Sequence, residues 1–453
     1  MRRVLIPLTL LFVAASTAAL AAAPTPNQQA VSLQLTLPGT NTPQPAPLIF
    51  ATNTPSGPTA TPSLTITPSL TATATETLTE TATATATFTP TPTATDTPSP
   101  TPTPNGPIYY PEGINTLTGL PFTSEEAANR RNLIVKISNA PAIVRPQSGL
   151  NSADVVFEYE VEGGLTRFAA IFRENAPTHV GPVRSGRLVD FELAPMFEAL
   201  FAYSGSSEPI RQLALNVDWG YQIISPQFGD NCEEVGFCRF PDGDLAFEHT
   251  LYLDTNLAWP VGTRRTGILG RRVKGFAFAE TPNPDGLPAN DIYLDWYGAT
   301  DGRWQYDPTT AHYVRYTEGV PHYDKADGEQ LWTDNIVILE APHVERPDLF
   351  EPESRSASQE IQLWGTGRAY VFRDGVYYQG FWERANREPG TGLRLYYGNY
   401  VDIMLKPGRS YVEIVRWLGD IAVSTEYADM VGTATQIALS ATPTRTPTPA
   451  SGG

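Results

Sequence analysis

Four arginines, Arg145, Arg167, Arg184 and Arg187, lie close in sequence to the carboxylates Glu158, Glu160 and Glu162, in a chain whose formal charge is −17. Guanidinium groups present planar, bidentate donors to phosphate and carboxylate oxygens. Local arginines on an acidic background therefore point to an anion-binding face. Arg184-Ser-Gly-Arg187 leads into Ser185–Ala194, which reads as a helix stopped by Pro195, with Ser185 as its N-cap. The free N–H groups of such a start would add to the pull on an anion. Arg145 and Gln147, from the preceding Pro-containing loop, are expected to converge on the same place. The same arginines can also neutralise Glu158, Glu160 and Glu162 in a half-buried salt network, and the two readings are compatible.

Other chemistry is weakly signalled. Alternate carboxylates along one strand face lie roughly 6.6 Å apart, near the range of a glycosidase acid/base pair. A glycan hydrolase using Glu158 and Glu162, two such steps apart, is the enzymatic alternative. Use of the arginines as in a phosphotransferase is another. His249 follows Phe247-Glu248 and reads as a structural histidine, with a general-base role as its alternative. The 5 histidines show no HExxH or comparable spacing, so no metal site is expected. Ser204-Gly205-Ser206 lacks the nucleophile-elbow pattern, and no P-loop or dinucleotide fingerprint calls for a cofactor. Cys232 and Cys238, the only 2 cysteines, are expected to close a small disulfide loop in an oxidising compartment.

The elements that must position these residues begin with a hairpin. Asp154–Val161 and Thr166–Arg173 read as strands joined at Gly163-Gly164. A two-residue turn there would set Glu162 opposite Leu165, Glu160 opposite Arg167 and Asp154 opposite Arg173. Val155, Phe157, Tyr159, Phe168, Ala170 and Phe172 would then share one apolar face. Leu133–Ile137 and Ala199–Tyr203 are further strand candidates, and Glu208–Leu215 a short helix. Later residues change character. Ile292–Tyr297, His312–Tyr316, Asn335–Glu340, Ala369–Arg373, Val376–Trp382 and Tyr411–Trp417 are short aromatic or β-branched runs, with Asp374-Gly375 as a tight hairpin. The expected fold is α/β in the N-terminal part with a mostly antiparallel β C-terminal part.

Composition sets the boundaries. Arg2 and Arg3, the apolar Val4–Val13 and the small residues Ala18–Ala23 make residues 1–23 a signal segment. Residues 24–106 are a Thr/Pro-rich stalk with too little apolar surface to fold. Residues 107–258 and 259–425 form the two expected domains, and 426–453 repeat the stalk's chemistry. The acidic balance argues against nucleic acid, and membrane contact is expected only through residues 1–23 if they are not cleaved. The reading is of an exported, envelope-associated protein whose partner is a cell-wall or other envelope component. A protein-interaction scaffold, using the aromatic β-rich half as contact surface, is the remaining alternative.

Several stretches carry a resemblance: Val135-Lys-Ile-Ser-Asn-Ala, Arg145-Pro-Gln-Ser-Gly-Leu, Ala153-Asp-Val-Val-Phe-Glu, Glu162-Gly-Gly-Leu-Thr-Arg-Phe and Val180-Gly-Pro-Val-Arg-Ser-Gly-Arg. In order and spacing they resemble the YerB-like lipoprotein family, whose domain is one of unknown function (DUF3048). Trp364-Gly-Thr-Gly and Gly380-Phe-Trp look like its C-terminal part. The resemblance implies an α/β layered sandwich, of ββα type in the N-terminal part, displayed outside the cytoplasmic membrane, and it assigns no catalytic residue. This chain departs from the family in having no lipobox cysteine. It also has Glu248-His249-Thr250 where members carry Pro-His-Asn. A fainter likeness, through Pro182-Val-Arg-Ser and Ala202-Tyr-Ser-Gly, is to LytR-CpsA-Psr envelope phosphotransferases, which bind a polyprenyl pyrophosphate through arginines.

Overall fold

The computed structural model describes residues 105–424 apart from 244, 268, 269, 299 and 352–354. The signal segment, the stalk up to residue 104 and the C-terminal tail lie outside the described residues. The first strand, β1 (Leu133–Ser138), is buried at every position. The hairpin strands are β2 (Val155–Val161) and β3 (Leu165–Phe172), and β2 is likewise buried throughout. Helix α1 (Asp190–Met196), β4 (Leu200–Ala202), α2 (Glu208–Asn216), β5 (Ile223–Ile224) and α3 (Thr255–Thr266) follow. The later residues add β6 (Asn335–Glu340), β7 (Gly365–Arg373), β8 (Val376–Arg384), β9 (Arg394–Tyr396) and β10 (Ser410–Val415).

All ten strands join one sheet in the order β9-β8-β7-β6-β10-β2-β3-β1-β4-β5, with Leu287–Pro288 added on β8. Strand β10 pairs parallel to both β6 and β2, so the sheet runs unbroken from the early to the late half of the chain. On one face lie α1 and α2, whose Phe191, Leu193 and Ile210 pack on Val155, Phe157 and Ile414. On the other lie α3 and an antiparallel sheet containing Asp291–Leu294, Gly302–Asp307, His312–Thr317 and Ile421–Ser424. Alternate burial along His312–Thr317 marks a strand with one dry face. The result is a layered α/β sandwich whose later part is largely antiparallel β, as expected. Cys232 and Cys238 are joined by a disulfide.

Two local expectations are corrected. The hairpin pairs Val161 with Leu165, Tyr159 with Arg167 and Val155 with Ile171, one residue away from the expected register. Glu162, Gly163 and Gly164 form a three-residue loop, with φ of 87° and 68° at the two glycines. Hydrophobic alternation selects a register only where one face is wet. Here both faces are covered, so Val155, Phe157 and Tyr159 enter one core while Phe168, Ala170 and Phe172 enter the other. The cross-strand Glu160–Arg167 pair is therefore not formed, and Glu160 pairs with Arg416 at 2.6 Å.

The expected helix Ser185–Ala194 begins only at Asp190 and contains Pro195. Ser185 is consequently not its N-cap. The Asp190 carboxylate accepts from the Arg187 N–H at 2.6 Å and ties down the approach instead. Residues before it run extended between two strands, where backbone pairing outweighs the helical tendency of a Ser-Gly-Arg stretch with low propensity.

Candidate functional site

The carboxyl ends of β1 and β4, which run parallel, are where an open α/β sheet presents ligand-binding backbone. The extended segment from Pro182 to Gly186 passes between them. Pro182 accepts from Ser138 N at 3.0 Å, and Arg184 donates its N–H to Lys136 O at 2.9 Å. On the other side, Arg184 O accepts from Ser204 N at 3.0 Å, and Gly186 N donates to Gly205 O at 2.9 Å. Both edges of the segment are thereby paired, which fixes where the side chains of Arg184 and Arg187 leave the backbone. A Cβ on Gly186 would lie 3.4 Å from the rings of Phe201 and Tyr203, so the segment packs closely on β4.

Three arginines and a histidine gather there. Arg167, at the start of β3, donates to Ser185 O at 2.8 Å. Arg184 donates to Glu248 O at 3.3 Å. Arg187 pairs with Glu162 at 2.5 Å. Among the described residues neither Arg167 nor Arg184 has a carboxylate partner. Burial, with the charges of Arg187 and Arg184 beside it, pushes the pKa of Arg167 well down. Burial also lowers His249, and the guanidiniums of Arg184 and Arg167 act in the same direction, so this imidazole is neutral at physiological pH. His249 Nδ1 and Arg184 Nε are buried with no hydrogen-bond partner among the described residues.

Beneath the cluster lies a dry ion pair. Lys136 Nζ stands 3.2 Å from Asp190 Oδ1, both side chains being fully buried, and the Tyr159 hydroxyl bonds to each. Burial pushes Lys136 down to about 7 against the pull of Asp190, and Arg167 and Arg187 push the same way. Asp190 is thus engaged by Lys136, Tyr159 and the Arg187 N–H rather than by an arginine side chain.

The remaining residues expected at the site lie elsewhere. Arg145 does not converge on the cluster; it pairs with Glu318 at 2.9 Å and lines a separate cleft of about 320 Å³ with His322 and Tyr323. Gln147 is buried, donating to Ser138 O at 2.8 Å and meeting His322 Nε2 at 2.6 Å. Glu158 is sealed in the core, where Arg315 reaches it at 2.6 Å and Thr166 and Asn139 donate to it. Glu158 and Glu162 therefore serve separate ion pairs and do not flank a common space. Ser185 contributes its carbonyl, not its hydroxyl. Among the described residues no group of three or more His, Cys, Asp or Glu side chains is placed to hold a metal ion.

Lys136, Tyr159 and Asp190 were missed from sequence. A lysine inside the apolar run Leu-Ile-Val-Lys-Ile was the available signal, since a strand buried on both faces tolerates an ammonium only beside a partner.

A sheet covered by helices on one face and by a second sheet on the other, with arginines at its carboxyl edge, defines a layered α/β protein with an arginine-bearing rim. Residues 117–265 match the family model described as "Protein of unknown function (DUF3048) N-terminal domain", and residues 292–412 match the C-terminal domain of the same family. The chain belongs to the DUF3048 family. It is 28% identical over 325 residues to YerB of Bacillus subtilis (strain 168), a protein described as a lipoprotein, over 68% of this chain and 88% of YerB. The crystal structure of YerB from Bacillus subtilis shares the fold, with a TM-score of 0.56 at 23% identity, over 69% of this chain and 99% of that one. Among the described residues no helix is long and apolar enough to cross a membrane.

Proposed function

We propose that this chain is an exported, envelope-associated binding protein whose Arg167, Arg184 and Arg187 take an anionic group of an envelope component. The observation that carries this reading is the pair of guanidiniums, Arg167 and Arg184, which lie side by side with no carboxylate within ion-pair distance among the described residues, on a chain of formal charge −17. Concentrating like charges this way costs free energy unless an anion relieves it. The unpartnered Arg184 Nε and His249 Nδ1 add hydrogen-bonding capacity at the same place. The leader-like residues 1–23, the Thr/Pro stalk and the description of YerB as a lipoprotein support the extracytoplasmic location.

The group recognised is a phosphate ester or a carboxylate of a wall polymer or lipid carrier. Thermal unfolding of the full chain against inorganic phosphate, a polyprenyl phosphate, a teichoic-type polymer and peptidoglycan fragments tests this. A rise in melting temperature with a phosphate- or carboxylate-bearing compound, lost in Arg167→Gln and Arg184→Gln, is expected, and the compound that produces it identifies the source. An unchanged melting temperature across the panel, or a rise that both variants retain, sinks the reading.

A further inference from the structure

A cleft of about 730 Å³ opens on the helical face of the sheet, and none of Arg167, Arg184, Arg187 or His249 lines it. Its wall presents aromatic rings. Trp219 stands 5.4 Å from Phe191 between centroids, and Tyr221 is 51% exposed. Trp364 also lines it, with the Arg387 guanidinium 4.4 Å from its ring centre.

The charged lining is largely paired within itself. Arg387 meets Glu192, Arg346 lies 2.7 Å from Glu360, and Arg271 lies 3.6 Å from Glu198. Arg131 and Asp218 complete a wall with no excess of either sign. Two deeper groups are left over. Arg131 is 3% exposed and donates Nε to Glu198 O at 2.6 Å, while its Nη1 has no partner among the described residues. Gln222 is 6% exposed and its Oε1 is unpartnered likewise. A buried donor and a buried acceptor without partners are expensive to maintain in an interior and are the usual mark of a place that a ligand or water completes.

From this we infer that the cleft is a carbohydrate site, taking the pyranose rings of an uncharged or N-acetylated glycan. A sugar ring has an apolar C–H face that packs on indole or phenol rings, and an edge of hydroxyls that both donate and accept. The wall matches both properties, with Trp219, Tyr221 and Trp364 for the face and paired guanidinium and carboxylate groups for the edge. Its charge balance separates it from the arginine cluster, which selects anions. The two sites therefore stand or fall separately.

Calorimetric titration of the full chain decides it, using a β-linked N-acetylglucosamine tetramer, a glucose tetramer and a short wall-type peptide as probes. Saturable binding of at least one saccharide is expected, weakened about tenfold or more by Trp219→Ala and by Tyr221→Ala. Because Tyr221 is half exposed, its variant keeps the fold even if Trp219→Ala does not, and a melting curve on each checks this. The inference is overturned if neither saccharide binds, if saccharide binding survives both aromatic substitutions, or if only the peptide binds.

Discussion

Glu158 and Glu413 are register partners on the adjacent parallel strands β2 and β10, fully buried, and share one counter-ion, Arg315. Arg315 comes from the second sheet and lies 2.6 Å from Glu158 and 3.1 Å from Glu413, while Trp304 donates to Glu413 at 3.0 Å. Two carboxylates cannot both be ionised beside one guanidinium in a dry core without a large penalty. Burial, followed by the charge of Glu158, pushes Glu413 well above the ordinary carboxylate range.

The two sides of this triad respond differently to substitution. Arg315→Met strands a buried carboxylate and costs about 3–5 kcal/mol. Glu413→Gln replaces a protonated acid by an isostere and costs less than about 1 kcal/mol at neutral pH. Urea unfolding of both variants checks the asymmetry. A Glu413→Gln loss as large as that of Arg315→Met would mean that Glu413 is ionised in the folded protein. The sign in pH follows from the raised value. Glu413 contributes its full stability below the unfolded carboxyl pKa of about 4.3, and that contribution is lost as pH rises through the folded value. The wild type therefore loses stability relative to Glu413→Gln as pH climbs from the acid side.

His322 predicts the opposite slope. It is buried between Thr317 and Gln147, and burial with the charges of Arg315 and Arg145 holds its pKa well below the ordinary imidazole value. A base depressed in this way contributes stability above its unfolded pKa of about 6.5, and loses it as pH falls through the folded value. The stability of wild type minus that of His322→Gln is expected to shrink steadily below that pH. A constant difference over the same interval would contradict the assignment.

The ion pair beneath the arginines predicts coupling. Lys136→Met leaves Asp190 buried without its cation and costs about 3–5 kcal/mol. Lys136→Met with Asp190→Asn is expected to recover a substantial part of that loss, because the uncompensated charge goes too. A double-mutant cycle of thermal unfolding measures the recovery, and strict additivity would deny the pair any mutual dependence.

The hairpin loop offers a backbone test. At Gly163 a Cβ would meet no other atom within 4 Å, so Gly163→Ala costs only the positive φ, about 1 kcal/mol. At Gly298 a Cβ would lie 1.9 Å from Gly164 O, and Gly298→Ala must move one loop off the other. The second substitution is expected to be the more destabilising of the two in urea unfolding, and to weaken anion binding, since the loop carries Glu162, the partner of Arg187.

Legibility from sequence tracked how local the determinants were. Asp374-Gly375 read correctly as a two-residue turn, because the residues themselves supply φ of 51° and 75° and Arg373 pairs with Val376 as expected. The α/β-then-antiparallel-β order followed from runs of apolar residues, and the layered form from the family resemblance. The register at Gly163-Gly164 did not, because it depends on what covers each face of β2. The cluster of Arg167, Arg184 and Arg187 was visible through spacing, yet the helix assigned to hold it was wrong, as pairing to Lys136 and Ser204 is a tertiary fact. Glu158 was assigned to the nearby arginines because its partner Arg315 lies 157 residues away in sequence.

The insertion of β10 between β6 and β2 also bears on the order of assembly. A chain made from its amino end has the β10-facing edge of β2 unpaired until Ser410–Val415 has emerged, although β1, β3 and β4 can already associate. The middle of the sheet is the last place to close, and until it closes an apolar strand edge stays open to mispairing. Completion of the fold is thereby deferred until nearly the whole chain is present.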